Sequence, residues 1–144
     1  MYTYAVPQVD RVSFVSLVQT DVLHAEVVHT SQLRARVEQC LHSREPLAIV
    51  QAVSEYLPYL LGLYDCVLRD TILLRDDVHL TWHSMLVSSK FRLHGLLSEV
   101  CLMHMLYASS LRAEAATIVE ALGAYELGAH DRKACDDRLR VAID

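Results

Sequence analysis

Eight histidines, four cysteines and eighteen acidic residues supply ample titratable chemistry in this 144-residue chain, so their spacing decides what they could do. Cys101 and His104 stand three apart in FRLHGLLSEVCLMHML, a spacing that brings two side chains together on a helix. With Glu99 they would make an incomplete metal set. A catalytic zinc needs three convergent protein ligands, and the sequence does not identify another donor. The reading favoured for Cys101 and His104 is packing, because free cysteine behaves as a small buried hydrophobe. His79 and His83 are four apart in a segment that reads as a strand. At ~3.3 Å per residue they would share a face but lie about 13 Å apart, too far for one metal.

Glu99 sits among Leu96, Leu97 and Val100, and a carboxylate in such company must be hydrogen-bonded or shifted in pKa. It could act as a general acid or base. The favoured reading is structural, with the carboxylate tying its helix to backbone N–H groups of a neighbouring loop. Tyr56, Tyr59 and Tyr64 could form an aromatic binding surface, but more often such rings pack in a core with a wet hydroxyl. There is no G-x-S-x-G motif and no glycine-rich phosphate loop. No residue is therefore assigned a catalytic, cofactor-binding or metal-ligating role, and the chain is read as non-enzymatic with no cofactor.

The elements that must position these residues are mostly helices. Hydrophobic residues make up 53% of the chain, with only four glycines and three prolines. That is enough apolar material for a core and too few turn residues for a many-stranded β fold. Residues 91–118 carry an apolar stripe of Leu93, Leu97, Val100, His104, Tyr107 and Leu111, widened by Leu96, Met103 and Leu106. A helix apolar over so much of its circumference is central and wrapped by others. Ser88 or Ser89 would cap it.

Upstream, Asp21–Leu41 reads as a helix with Leu23, Val27, Leu33, Val37 and Leu41 inward, Arg34, Arg36 and Glu38 solvated, and a kink near Thr30–Ser31. Ser43-Arg-Glu-Pro46 is a helix-start signal for a second helix to about Leu68, kinked at Pro58. Arg11–Val18 and a segment around Val78–Trp82 alternate like strands and would pair. A shorter helix over Val119–Leu127 and a last one from Asp131 to about Ile143 complete the reading. The last helix has only a thin stripe of Ala134, Arg138 and Val141, or Leu139 and Ile143.

The net charge of −5, with basic residues scattered singly, argues against a sequence-independent nucleic-acid binder. Cys40, Cys66, Cys101 and Cys135 form no C-x-x-C pair and are expected as reduced thiols, since no signal peptide is legible. The longest apolar run, Tyr56–Leu68, is about a dozen residues and holds Pro58 and Asp65. A spanning helix needs roughly 20, so no membrane span is expected. Tyr2 stands where N-myristoylation requires glycine. A cytosolic protein is the expectation.

Four motifs in order carry a family resemblance. Glu55-Tyr-Leu-Pro-Tyr-Leu-Leu61 resembles a Tyr-Leu-Pro-x-Leu signature on a kinked helix, and Trp82-His-Ser-Met-Leu86 a W-x-S-x-L segment. Leu97-Ser-Glu-Val100 followed by Leu106-Tyr-Ala-Ser-Ser-Leu-Arg-Ala-Glu-Ala115 resembles a long central helix with L-x-x-E before L-Y-x-x-x-L-R-x-x-A. Arg11-Val-Ser-Phe-Val15 occupies the place of an early strand. Together these resemble the BRO-one-like domain, above all its plant-type and protist-type endosomal-targeting members, over about residues 11 to 143. The resemblance implies a mainly α fold: a tetratricopeptide-like helical hairpin core with a small two- to three-stranded β patch near the N-terminus. It implies a cytosolic scaffold recruited to endosomes, binding a helix of an ESCRT-III subunit in ESCRT-dependent sorting. The family's ESCRT-III groove is built largely by helices C-terminal to those present, so no binding residue carries over. Residues 1–144 are accordingly expected to be the N-terminal part of a larger domain, with self-association through apolar surface. Two readings from other classes stand beside this one: a self-contained helical dimerisation adaptor, and a small metal-dependent enzyme using Cys101, His104 and Glu99.

Overall fold

In the computed structural model the described residues are 6–19, 21–75, 78–84, 89–124, 133, 134, 136–138, 140 and 141. They form a mainly α fold with one small sheet. The helices are α1 (His24–Ser43), α2 (Pro46–Leu68) and α3 (Leu96–Ala124). The strands are β1 (Gln8–Val9), β2 (His79–His83) and β3 (Lys90–His94), antiparallel throughout in the order β1-β2-β3.

α1 and α2 make a helical hairpin because the chain has only Arg44 and Glu45 between them, with Arg44 in the left-handed region. Pro46 opens α2 at its first turn, where a missing N–H costs nothing. Ser43 ends α1 rather than capping α2, which has Glu45 at its N-cap without a side-chain bond. Pro58 lies inside α2, and the helix is assigned without a break across it. α2 is long and apolar enough to match a bilayer by length and composition. Here it packs against both α1 and α3 and buries Ile49, Val53, Tyr56, Leu60 and Leu63 between them. Each such burial contributes about 1.5–3 kcal/mol.

Several expectations need correction. The strand expected at Arg11–Val18 is instead a short 3-10 turn at Phe14–Ser16, with Phe14 buried and its N–H bonded to Ser31 Oγ at 3.0 Å. Of that segment, only Val18 makes a β-bridge, to Leu74. The true partner of β2 on this side is β1, through Gln8–His83 and Val9–Trp82. The central helix does not begin at Phe91. Residues 90–94 pair with β2, and Gly95, at φ +79°, turns the chain into α3. Strand pairing takes the first stretch of an apolar run whose period alone looks helical. Ser89 belongs to the β2–β3 connection, where its carbonyl accepts the Ser84 N–H, and Ser88 lies outside the described residues.

α1 runs unbroken through Thr30 and Ser31, whose hydroxyls bond back to the carbonyls of Glu26 and Val27. α3 continues through Val119 to Ala124, so the expected separate helix from Val119 is its last part; Leu127 lies outside the described residues. Of the last helix, residues 133, 134, 136–138, 140 and 141 are helical. It is moored by Arg138, which donates to Glu114 of α3 at 2.7 Å. Asp131, Leu139 and Ile143 are not among the described residues. Cys40, Cys66 and Cys101 are free thiols, and Cys135 lies outside the described set.

Candidate functional site

The most charged place in the interior is built from three elements. Arg34 of α1 and Glu99 of α3 are both fully buried and joined by Nε–Oε1 at 2.9 Å. Trp82 of β2 donates its indole N–H to the other Glu99 oxygen at 3.0 Å. Arg34 also donates through Nη1 to the Asp10 carbonyl at 2.9 Å, which pins the residue after β1. Both carboxylate oxygens are thus held by side chains, not by loop N–H groups as the sequence suggested. Arg34, expected on the solvated face, is the largest fully buried side chain described. Burying two ions costs several kcal/mol each unless geometry and hydrogen bonds compensate, and here three hydrogen bonds offset part of that cost.

Tyr56 of α2 completes the cluster. Its hydroxyl is buried and makes no hydrogen bond of proper geometry. Burial pushes the phenol well above its ordinary 10.0, the Glu99 charge adds to the rise, and the Arg34 charge opposes it. Arg34 Nη2 is also buried without a partner. The four side chains fix α1, α2, α3 and the sheet in one arrangement. Sealed from solvent, Glu99 has no route to a substrate proton.

The other predicted site residues are kept apart. Cys101 is exposed, while Glu99 faces the core. His104 donates its Nδ1–H to the Val100 carbonyl of its own helix at 2.8 Å. Among the described residues no three His, Cys, Asp or Glu side chains converge as metal ligands. His79 and His83 do occupy one strand, as expected, and have different neighbours. His79 stacks edge-on against His94, and His83 Nε2 meets Asp10 Oδ1 at 2.7 Å. The three tyrosines also divide. Tyr56 is core, Tyr64 is half-buried, and Tyr59 is exposed.

Tyr59 marks a feature that residue spacing did not reveal. An apolar cavity of about 190 Å³ opens between α1 and α2, lined by Leu23, Val27, Pro58, Tyr59, Gly62 and Cys66, among others. His29 of α1 packs edge-on against the Tyr59 ring, with centroids 4.7 Å apart. At its rim Leu23 holds φ +56° as the residue before α1, with no side-chain cap. A leucine in that region costs about 1–2 kcal/mol. Such strain gathers at binding and switch positions. The missing Cβ of Gly62 leaves open space, which keeps the cavity accessible.

The chain is 26% identical over 143 residues to the pH-response regulator protein palC of Cryptococcus neoformans var. neoformans serotype D (strain B-3501A). The match covers 89% of this chain and 29% of that protein, so the chain spans under a third of its relative's length. No protein-family model matches the chain. No solved structure matches it either.

Proposed function

We propose that the chain is a non-enzymatic protein-interaction module with a regulatory or adaptor role, taking an amphipathic helix of a partner protein at the α1–α2 cavity. The observation that carries this reading is the cavity itself. It is apolar, open, strained at Leu23, and bordered by the exposed side chain of Tyr59. Its volume falls below the roughly 300–1,000 Å³ usual for small-molecule sites, which suits an anchoring side chain better than a free ligand. Helix-in-groove recognition uses such anchors at one-turn spacing. Likeness to a pH-response regulator supports the regulatory part of the reading. Resemblance to BRO-one-like domains supports the finer part, a cytosolic scaffold peripheral at endosomes that takes a helix of an ESCRT-III subunit in the complete domain; the α1–α2 cavity proposed here is a surface separate from that family's own groove.

The test is a fluorescence-polarisation titration of the purified chain with labelled C-terminal helices of ESCRT-III subunits. Saturable binding by the wild type, weakened about tenfold or more by Gly62→Leu, is expected. Gly62 lines the cavity and a Cβ there meets nothing within 4 Å, so a side chain at this position enters the cavity. Binding unaffected by Gly62→Leu rejects the cavity, and absence of saturable binding rejects the ESCRT-III partner.

A further inference from the structure

We propose that His79 and His94 form a two-imidazole site for a divalent transition cation of the zinc class on the outer face of the sheet. The antiparallel register sets His79 directly opposite His94. The Gly95 N–H donates to Val78 O at 2.8 Å, so the neighbouring 78/95 pair is the hydrogen-bonded one. In an antiparallel ladder the next pair, 79/94, is then the non-bonded kind, with Cα atoms about 4.5 Å apart and side chains closest. The two rings accordingly meet with centroids 4.4 Å apart and planes at 82°. Leu80 and Trp82 turn into the core, so the alternation of the strand leaves both histidines exposed on the other face.

Neutral imidazole offers a ring nitrogen to zinc, copper or nickel, and little to magnesium or calcium. Zinc–nitrogen bonds of about 2.0–2.1 Å require two ring nitrogens within roughly 3.5 Å, so binding would turn these rings, now 4.4 Å apart between centroids, about their terminal torsions. Water would fill the remaining positions. Among the described residues no side chain other than its ring partner holds either imidazole. Arg92 lies on the same face two residues from His94, and Lys90 lies beyond it; both oppose a cation and hold the affinity down. His83, at the far end of β2, is engaged with Asp10 and stands outside the pair. This inference stands apart from the helix-binding reading.

The experiment is a titration of the purified chain with zinc chloride alone, followed by calorimetry and by the imidazole carbon-bound proton resonances. One equivalent of zinc is expected to bind, shifting the ring signals of His79 and His94. His79→Asn and His94→Asn should each weaken binding about tenfold or more, because two tethered donors act at a high effective concentration. His83→Asn should bind as the wild type does, and magnesium chloride should produce no saturable shift. Equal zinc affinity in the His79 and His94 variants would overturn the site and assign binding to thiols such as Cys101. Absence of saturable zinc binding by the wild type would overturn it equally. The wild-type ring signals decide between these outcomes even if a variant fails to fold.

Discussion

Arg34 and Glu99 hold the interior together at the residue scale, and the energies follow from their burial. Glu99→Ala leaves a buried guanidinium without its counter-charge and should cost about 3–5 kcal/mol. Trp82→Phe removes the indole donor together with part of a buried ring and should cost about 1–3 kcal/mol. Urea melts measure both. Arg34→Met combined with Glu99→Leu should be milder than either single change, because no charge is left stranded. A loss under 1 kcal/mol for Glu99→Ala would refute the account of the cluster. Tyr56 gives a pH signature. Its folded pKa is raised, so the folded state keeps the phenol proton after the unfolded state begins to lose it. Stability from this group is therefore full below pH 10 and falls as pH rises above it. Tyr56→Phe should flatten that alkaline fall in thermal melts between pH 8 and about 11. At neutral pH it should cost little, since the hydroxyl has no hydrogen bond to lose.

The helical elements were largely legible, and their inner faces were less so, for one physical reason. The buried face of α1 is Val27, Thr30, Arg34, Val37 and Leu41, an unbroken 3-4-3-4 spacing. An apolar-only reading skips Thr30 and Arg34, substitutes Leu33, and is left with a gap that looks like a kink. Admitting a buried arginine closes the gap. The buried face of α3 likewise includes Glu99, Ser110 and Glu114, so the purely apolar line through Leu97 and His104 falls one residue off the true one. β3 escaped notice because Lys90–His94 does not look like a strand without its partner, and with it went the His79–His94 pair. The cavity was illegible because it depends on how α1 sits on α2. Two glycines separate backbone need from open space at this scale. Gly95→Ala should destabilise by about 1–2 kcal/mol, since φ +79° opposes a side chain. Gly62→Ala should stabilise by about 1 kcal/mol, because α2 is regular there and nothing lies near the new methyl. Chemical denaturation of the two variants gives the signs.

As a whole molecule, the chain pairs a sealed polar centre with apolar side chains left on the surface. On α3, Leu97, Cys101 and Met105 follow at one-turn spacing, and Leu97 is 52% and Met105 68% exposed. Exposed apolar stripes of this kind favour association. Light scattering should show a mass that rises with concentration, and Met105→Glu should lower it without lowering the melting temperature by more than about 2 °C. The central claim is narrower: the α1–α2 cavity, not the α3 stripe, is where a partner helix docks. Backbone amide shift mapping of the labelled chain with a saturating ESCRT-III helix tests it most directly. Perturbations gathered at Leu23, Val27, Tyr59, Gly62 and Cys66 are the predicted result. Perturbations confined to Leu97, Cys101 and Met105, or none at saturating peptide, would contradict it.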